Sequence, residues 1–165
     1  MENGNAFRSP TLEKRLAEKL KVKIKSVSGG YAFSLAIDSE GTCWGTGDCS
    51  YGQLGIGGTS SKNEWTQMSE FKGKWTQVSC GYYHALGVAK KKGGGLQLYG
   101  WGNNQNGQLG LGDRDKRTEP QPVTFPNKDE VKWVESGGFF SGALTVKGDV
   151  YCWGSNRYSH DVTVR

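Results

Sequence analysis

Tyr99-Gly-Trp-Gly-Asn-Asn-Gln-Asn-Gly-Gln-Leu-Gly-Leu-Gly-Asp113 reads as a short aromatic strand, a glycine-rich turn and then Gly107-Gln-Leu-Gly110. An earlier copy runs Cys43-Trp-Gly-Thr-Gly-Asp-Cys-Ser-Tyr-Gly-Gln-Leu-Gly-Ile-Gly57, with Gly52 and Gly55 framing its Gln-Leu pair. A third begins at Tyr151-Cys-Trp-Gly-Ser-Asn156 and breaks off. Aligned on their tryptophans, the copies place Trp44, Trp101 and Trp153 at steps of 57 and 52 residues. Self-similarity at such a period points to a repeat architecture, in which each unit buries its apolar face against the next.

A second landmark recurs in the same order. It reads Val27-Ser-Gly-Gly-Tyr-Ala-Phe-Ser-Leu-Ala-Ile37, then Val78-Ser-Cys-Gly-Tyr-Tyr-His-Ala-Leu-Gly-Val88, then Val134-Glu-Ser-Gly-Gly-Phe-Phe-Ser-Gly-Ala-Leu144. Gly30, Gly81 and Gly137 are then equivalent, at steps of 51 and 56 residues. Gly29-Gly30 is expected to turn through positive φ. Phe33, Leu35 and Ile37 alternate with Ser34 and Ala36, the pattern of a strand with one face inward. Asp38 to Gly41 then reads as a hairpin turn, and residues 58–74 as a polar link offering Trp65, Met68 and Phe71 for packing between units. In the second copy the hairpin is longer, Ala89-Lys-Lys-Lys-Gly-Gly-Gly95. It is no phosphate cradle, because that needs Gly-Lys-Ser/Thr opening a helix, and Leu96 to Tyr99 reads as a strand.

These residues resemble the repeats of the regulator of chromosome condensation family. That repeat runs roughly Val-x-Cys-Gly-x-x-His-x-x-Ala-Leu, then Gly-x-Val-Tyr-x-Trp-Gly-x-Asn, then Gly-Gln-Leu-Gly-x-Gly. The second copy carries Cys80, Gly81, His84 and Leu86, then Trp101, Gly102, Asn104 and the whole Gly-Gln-Leu-Gly. The first copy departs at Gly29 and Phe33, the third at Ser136 and Phe140. Kelch repeats share the length and the paired glycine but lack Gly-Gln-Leu-Gly after Trp-Gly. The resemblance implies an all-β fold of β-propeller-type blades built from short antiparallel strands. About three of the family's seven blades are present, an incomplete ring. The expected organisation is a disordered N-terminus over 1–9 and repeats over 10–156. Within these, 10–23 is the tail of a preceding repeat, 24–74 and 75–130 are repeats, and 131–156 is a truncated one; a frayed tail follows at 157–165. A short helix capped by Ser9 with Pro10 at its first position is a competing reading of the N-terminal stretch.

Composition suits such thin, sheet-rich cores: 26 glycines and only 35% hydrophobic residues, but six Trp, seven Tyr and six Phe. The net charge is +5, with Lys14, Arg15, Lys19, Lys21, Lys23 and Lys25 crowded near the N-terminus and Lys90-Lys91-Lys92 in a hairpin. The functional reading of this excess is an acidic partner or nucleic acid; the plain one is a solvated surface. Cys43, Cys49, Cys80 and Cys152 show no Cys-x-x-Cys and no matching histidine pair, so no metal site and no cofactor are expected. All four read as small buried hydrophobes in a reducing compartment. No apolar run approaches a membrane span and no signal peptide opens the chain, so a soluble cytoplasmic or nuclear protein is expected.

Catalytic residues are not expected. The histidines are His84 and His160 alone. The resemblance gives His84 a structural place between strands, with no Ser, Cys or carboxylate set beside it by the motif, and His160 falls in the tail. The family's founding member exchanges guanine nucleotide on the Ran GTPase and docks on nucleosomes; relatives use the propeller as a plain binding platform. Photoreception through a tryptophan in Gly-Trp-Arg-His-Thr, known within the family, is not expected, since the matching positions hold Tyr31-Ala32, Tyr82-Tyr83 and Gly138-Phe139. By the resemblance those positions lie on one rim, which makes Tyr31, Tyr82, Tyr83 and Phe139 the binding candidates. Filling of gaps between blades is the competing role for these rings. The expected function is a protein-interaction module. Exchange on a Ran-like small GTPase and association with chromatin or DNA are the alternatives, and self-association through open blade edges is a further partner mode.

Overall fold

The computed structural model describes residue 18 and residues 21–68 and 71–156. Eleven strands among them form three antiparallel sheets. The first joins β1 (Ile24–Gly29), β2 (Phe33–Asp38), β3 (Cys43–Gly47) and β4 (Lys62–Gln67) in that order. The second joins β5 (Lys74–Cys80), β6 (His84–Lys90), β7 (Leu96–Gly102) and β8 (Arg117–Val123). The third holds β9 (Val131–Ser136), β10 (Phe140–Thr145) and β11 (Val150–Gly154). The expected segments 1–9 and 157–165, with Pro10 and His160, lie outside the described residues.

The sheets stand face to face like blades, with β1, β5 and β9 as neighbouring inner strands. One apolar core lies between the first and second sheets, around Phe33, Leu35, Ile37, Cys43, Trp75 and Trp101. Another lies between the second and third, around Leu86, Val88, Leu98, Val134 and Ala143. Side chains pin the inner strands together. Ser28 Oγ accepts the Cys80 amide at 3.0 Å, and Ser79 Oγ accepts the Ser136 amide at 2.8 Å. Gln77 clamps Val134 from both sides, donating to its carbonyl at 2.6 Å and accepting its amide at 3.1 Å. Each amide is one that the strand's own pairing leaves over, and burying it unpaired would cost about 1–3 kcal/mol.

Several sequence expectations are corrected. β2 is not a strand with one face inward: Ala36 and Asp38 are buried along with Phe33, Leu35 and Ile37. Asp38 is buried because it builds the hairpin turn. Its carboxylate accepts the amides of Glu40 and Thr42 and the Trp44 indole N–H, each at 2.9 Å. Residues 58–74 are not merely a link, because Lys62–Gln67 forms the outer strand β4. Arg117–Val123 is the matching outer strand β8, where Pro120 and Pro122 are tolerated because an edge strand pairs on one side only.

The largest correction concerns Trp44, which is not equivalent to Trp101 and Trp153. The pairings Phe33↔Gly47, His84↔Gly102 and Phe140↔Gly154 are equivalent. These three glycines share φ of 103°, 96° and 103°. The amides that follow them, of Asp48, Asn103 and Ser155, donate to the carbonyls of Ala32, Tyr83 and Phe139 at 2.8–2.9 Å. Thr46 therefore stands where Trp101 and Trp153 stand, and Trp44 falls two residues earlier, level with Tyr99 and Tyr151. The same shift places Cys152 level with Gly45 and Gly100 instead of with Cys43.

Cys152 is accordingly exposed on the outer face of the third sheet, while Cys43, Cys49 and Cys80 are buried. Burial pushes all three buried thiols up, Cys80 to about 12. A maleimide reagent at neutral pH is expected to label Cys152 fast in the native protein and the other three only after unfolding. Equal labelling of Cys43 or Cys80 in the folded state would contradict this packing. Phe140, Trp133 and Val150 share that outer face and are 55%, 55% and 70% exposed. Their counterparts in the second sheet, His84 and Leu98, are buried against the third.

Candidate functional site

The rim is made by the turns that join the first two strands of each sheet. In each turn a glycine amide donates back three residues on: Gly30 to Phe33 O, Gly81 to His84 O and Gly137 to Phe140 O, at 2.8–2.9 Å. These glycines do not have positive φ, contrary to the expectation for Gly29-Gly30. Space demands them instead. A Cβ at Gly30, Gly81 or Gly137 would overlap the ring of Phe33, His84 or Phe140 respectively. The turns also bond to one another, Tyr31 N to Tyr82 O at 3.3 Å and Tyr82 N to Gly138 O at 3.0 Å. The residue after each glycine is thereby held at one end of the molecule.

All four sequence candidates meet there. Tyr31 and Tyr82 rings lie 5.9 Å apart, and Tyr82 and Phe139 rings 5.2 Å apart, in a row of one ring per sheet. Tyr83 closes the row from behind, 5.6 Å from Tyr31 and 6.5 Å from Tyr82. Tyr51 was not among the candidates, yet its ring lies 5.3 Å from Tyr83. Its signal in the sequence is its place directly before Gly52-Gln-Leu-Gly, the loop that folds up to the same end. Tyr31, Tyr82 and Phe139 are 68%, 48% and 40% exposed, whereas Tyr51 and Tyr83 are half-buried. The front row faces solvent and the rear pair fills the joint between blades. No phenolic hydroxyl of the four tyrosines has a hydrogen-bond partner among the described residues.

The Gly-Gln-Leu-Gly loops brace this end. Gln53 donates to Asp48 at 2.8 Å and accepts the Tyr51 amide at 2.9 Å. Burial raises the Asp48 carboxyl, but bonds from the Ser50 amide and hydroxyl, Gln53 and Ser61 outweigh it and hold it below the usual carboxylate range. Gly52, Gly55, Gly107 and Gly110 all have positive φ, from 67° to 82°. The basic residues Lys23 and Lys90 to Lys92 sit at the other end, on the far side of the strands from the rim turns.

His84 does have a serine beside it, supplied by the neighbouring sheet. His84 Nε2 is 3.0 Å from Ser141 Oγ, and both residues are fully buried. Ser141 gives its one proton to Gln108 O at 2.7 Å, so the imidazole is the donor to Ser141 and Nδ1 is left without a partner. A hydroxyl committed to a carbonyl and sealed from solvent is not a nucleophile, so the pair joins blades and does no acyl chemistry. Among the described residues no three His, Cys, Asp or Glu side chains lie close enough to hold a metal ion. No helix there is long and apolar enough to cross a membrane.

Comparison with known proteins agrees with this architecture. The model of the regulator of chromosome condensation (RCC1) repeat matches residues 40–88 and 97–144, and a second model of the same repeat matches 24–53, 75–108 and 131–159. The chain belongs to this repeat family. It is 38% identical over 135 residues to the human probable E3 ubiquitin-protein ligase HERC6, covering 79% of the chain and 13% of that protein. It is 30% identical over 138 residues to the ultraviolet-B receptor UVR8 of Arabidopsis thaliana, covering 83% of the chain and 30% of the receptor. Among solved structures it superposes on human WBSCR16 with a TM-score of 0.69 at 24% identity, covering 79% of the chain and 33% of that structure. Prp20p of Saccharomyces cerevisiae gives a TM-score of 0.68 at 23% identity, with 90% and 33% covered. The chain thus spans a third or less of each of these proteins, and its three sheets form an incomplete β-propeller.

Proposed function

We propose that this propeller module is a protein-interaction platform whose docking surface is the aromatic rim. The observation that carries it is the row Tyr31, Tyr82 and Phe139, three large rings held toward solvent by a backbone ladder that would exist without them. Large apolar surface left exposed on a rigid support is the usual composition of a hot spot. Affinity capture from a cell extract, compared between the native chain and a Tyr31→Ala, Tyr82→Ala double variant, tests this. Specific proteins are expected to be lost from the variant while its melting temperature stays within about 2 °C, since exposed side chains carry little stability. An unchanged protein set would refute rim docking, and a large fall in melting would assign the rings to packing.

Nucleotide exchange on a Ran-like small GTPase is the competing reading. It draws support from the likeness to Prp20p, whose structure is described together with its binding to Gsp1p and histones. An exchange assay on such a GTPase loaded with fluorescent nucleotide separates the two: acceleration by the native chain favours exchange, and release at the basal rate favours a plain platform.

A further inference from the structure

We infer that a second copy of this chain docks head to tail on the outer face of the third sheet, seating its β1 there as β5 sits on the first sheet and β9 on the second. The two internal joints are built alike: the first strand of the following sheet packs on the first two strands of the preceding one. The equivalent surfaces at the two ends of the stack are open. On the third sheet Trp133, Phe140 and Val150 are exposed. On the first sheet Val27 is 70% exposed, whereas Val78 and Val134 are 8% and 0% exposed inside the joints. The pairings Val27↔Ala36, Val78↔Gly87 and Val134↔Ala143 make these three valines equivalent. A Cβ at Gly29, two residues on, would meet nothing within 4 Å. Farther out on that face Ala36 and Asp38 are buried and Trp44 is bonded to Asp38, so β1 is its free part. Large apolar side chains left open together mark an interaction surface.

The two ends match position by position, which singles out a second copy as the occupant. Ser28 meets Cys80 in the first joint, and Ser79 meets Ser136 in the second. At the ends the corresponding pair is Glu135 and Gly29, a larger acceptor side chain facing a smaller residue with an amide to give. Gln77 reaches Val134 across the second joint. At the ends Trp133 takes the place of Gln77 and Val27 that of Val134, an apolar pair. His84 meets Ser141 in the second joint. Phe140 and Ser34 stand in those places at the ends, again a flat ring against a small residue. The rim ladder continues as well. Tyr31 N donates to Tyr82 O and Tyr82 N to Gly138 O, so Gly138 N is placed to donate to Tyr31 O of the second copy.

The remaining device of the joints is missing from both ends together. Trp101 and Trp153 each donate to the Gln carbonyl of the preceding sheet's Gly-Gln-Leu-Gly loop. Thr46 stands in their place on the first sheet, and Arg157-Tyr-Ser-His-Asp161 follows Asn156 where the other two copies carry that loop. A joint from the third sheet to the first thus brings no indole and meets no loop built to receive one. Cys152 agrees: it takes the place of Gly100, where a Cβ would lie 2.9 Å from Leu109 O of the loop. That place belongs to the loop and not to the docked strand, so Cys152 stays open to reagent in the assembly. The contact uses a different patch on each copy and repeats from copy to copy. Two outer faces meeting each other would instead bring two Glu135 carboxylates into one apolar contact with no amide for either.

Sizing with light scattering on the full chain, over a range of concentrations, is the test. The native chain is expected at multiples of 18.0 kDa, with a mass that rises with concentration. Val27→Asp spoils only the β1 end and Trp133→Asp only the outer face, and each is expected at the mass of a single chain. An equimolar mixture of the two should recover a species of twice that mass and no larger, because each variant keeps the end that the other lacks. Both positions are exposed, so melting within about 2 °C of the native chain confirms folding. If either variant melts lower, Val27→Lys and Val150→Lys take their places. A native chain that keeps the single-chain mass at every concentration overturns the proposal. So does a mixture that stays at the single-chain mass, and so does a Val27→Asp variant that still assembles, the sign of outer faces meeting each other. The Tyr31→Ala, Tyr82→Ala variant is expected to assemble like the native chain. Loss of assembly there would place the contact at the rim and overturn the proposal, while leaving rim docking to the capture experiment.

Discussion

Trp101→Ala is expected to cost about 3–5 kcal/mol, a large share of the roughly 5–15 kcal/mol that stabilises a domain. Trp101 is the largest fully buried side chain, and it seats against the Gly-Gln-Leu-Gly loop of the preceding sheet. Its indole N–H donates to Gln53 O at 3.0 Å, and its ring lies 5.3 Å from that of Trp75 at 50°. Truncation leaves a cavity between two sheets and an unpaired buried carbonyl together. Trp153 repeats the arrangement one sheet on, donating to Gln108 O at 2.8 Å, but it is only half-buried. Trp153→Ala is therefore expected to cost less. The glycines opposite explain themselves by the same contact: a Cβ at Gly55 or Gly110 would come within 2.9 Å of the indole nitrogen, on a backbone already at φ 67° or 71°. Urea unfolding at constant slope gives the loss from the midpoint. A loss under about 1 kcal/mol for Trp101→Ala would mean that the sheets are not held by this latch.

The landmarks that carried the fold are those with a single geometric solution. Gly-Gln-Leu-Gly is a loop whose glycines need positive φ and whose Gln staples its own backbone. The glycine of each rim turn is dictated by the ring three residues later. Such residues show in the sequence because nothing else fits. Trp44 was misplaced for an equally physical reason. The first copy has two more residues between its tryptophan and Gly52 than the second has before Gly107. An offset of two leaves a residue on the same face of a strand, so no change in alternation betrays it. Only the hairpin pairing of Gly47 with Phe33 reveals it. The outer strands β4 and β8 were hidden because one face and one edge are wet, so Lys62–Gln67 and the proline-bearing Arg117–Val123 lack the apolar period of a core strand. At the rim, the residues after each glycine were legible and Tyr51 was not, because it reaches the patch through a loop fold and not through a repeated position. Ser141 escaped for a similar reason: its contact with His84 crosses between sheets, 57 residues apart.

Stability should fall as pH drops from about 6.5 toward 4, and His84 should account for the fall. Burial alone pushes its imidazole down to about 4 from an ordinary 6.5, with no charged group beside it. The folded protein therefore holds the ring neutral where the unfolded chain would already take a proton. The contribution is fully present above about 6.5, is lost progressively as pH falls, and is gone below about 4. A shift of this size corresponds to roughly 3 kcal/mol in all, at about 1.4 kcal/mol per unit, and to about 2 kcal/mol by pH 5. For a chain of this length that is a fall in melting temperature of several degrees between pH 7 and pH 5. The carboxylates of Asp38, Asp48, Asp113 and Asp129 are held below their ordinary 3.8, so what they contribute is lost only at lower pH and does not blur the window. His84→Phe is the decisive variant, because Phe33 and Phe140 occupy the same place in the other two turns and the site accepts a flat ring there. In His84→Phe the melting temperature should stay level from pH 7 to pH 5, apart from any share due to His160. If the native chain is itself level over that range, or if the variant falls as steeply, the buried neutral imidazole between the second and third sheets is not what sets the acid limit of the fold.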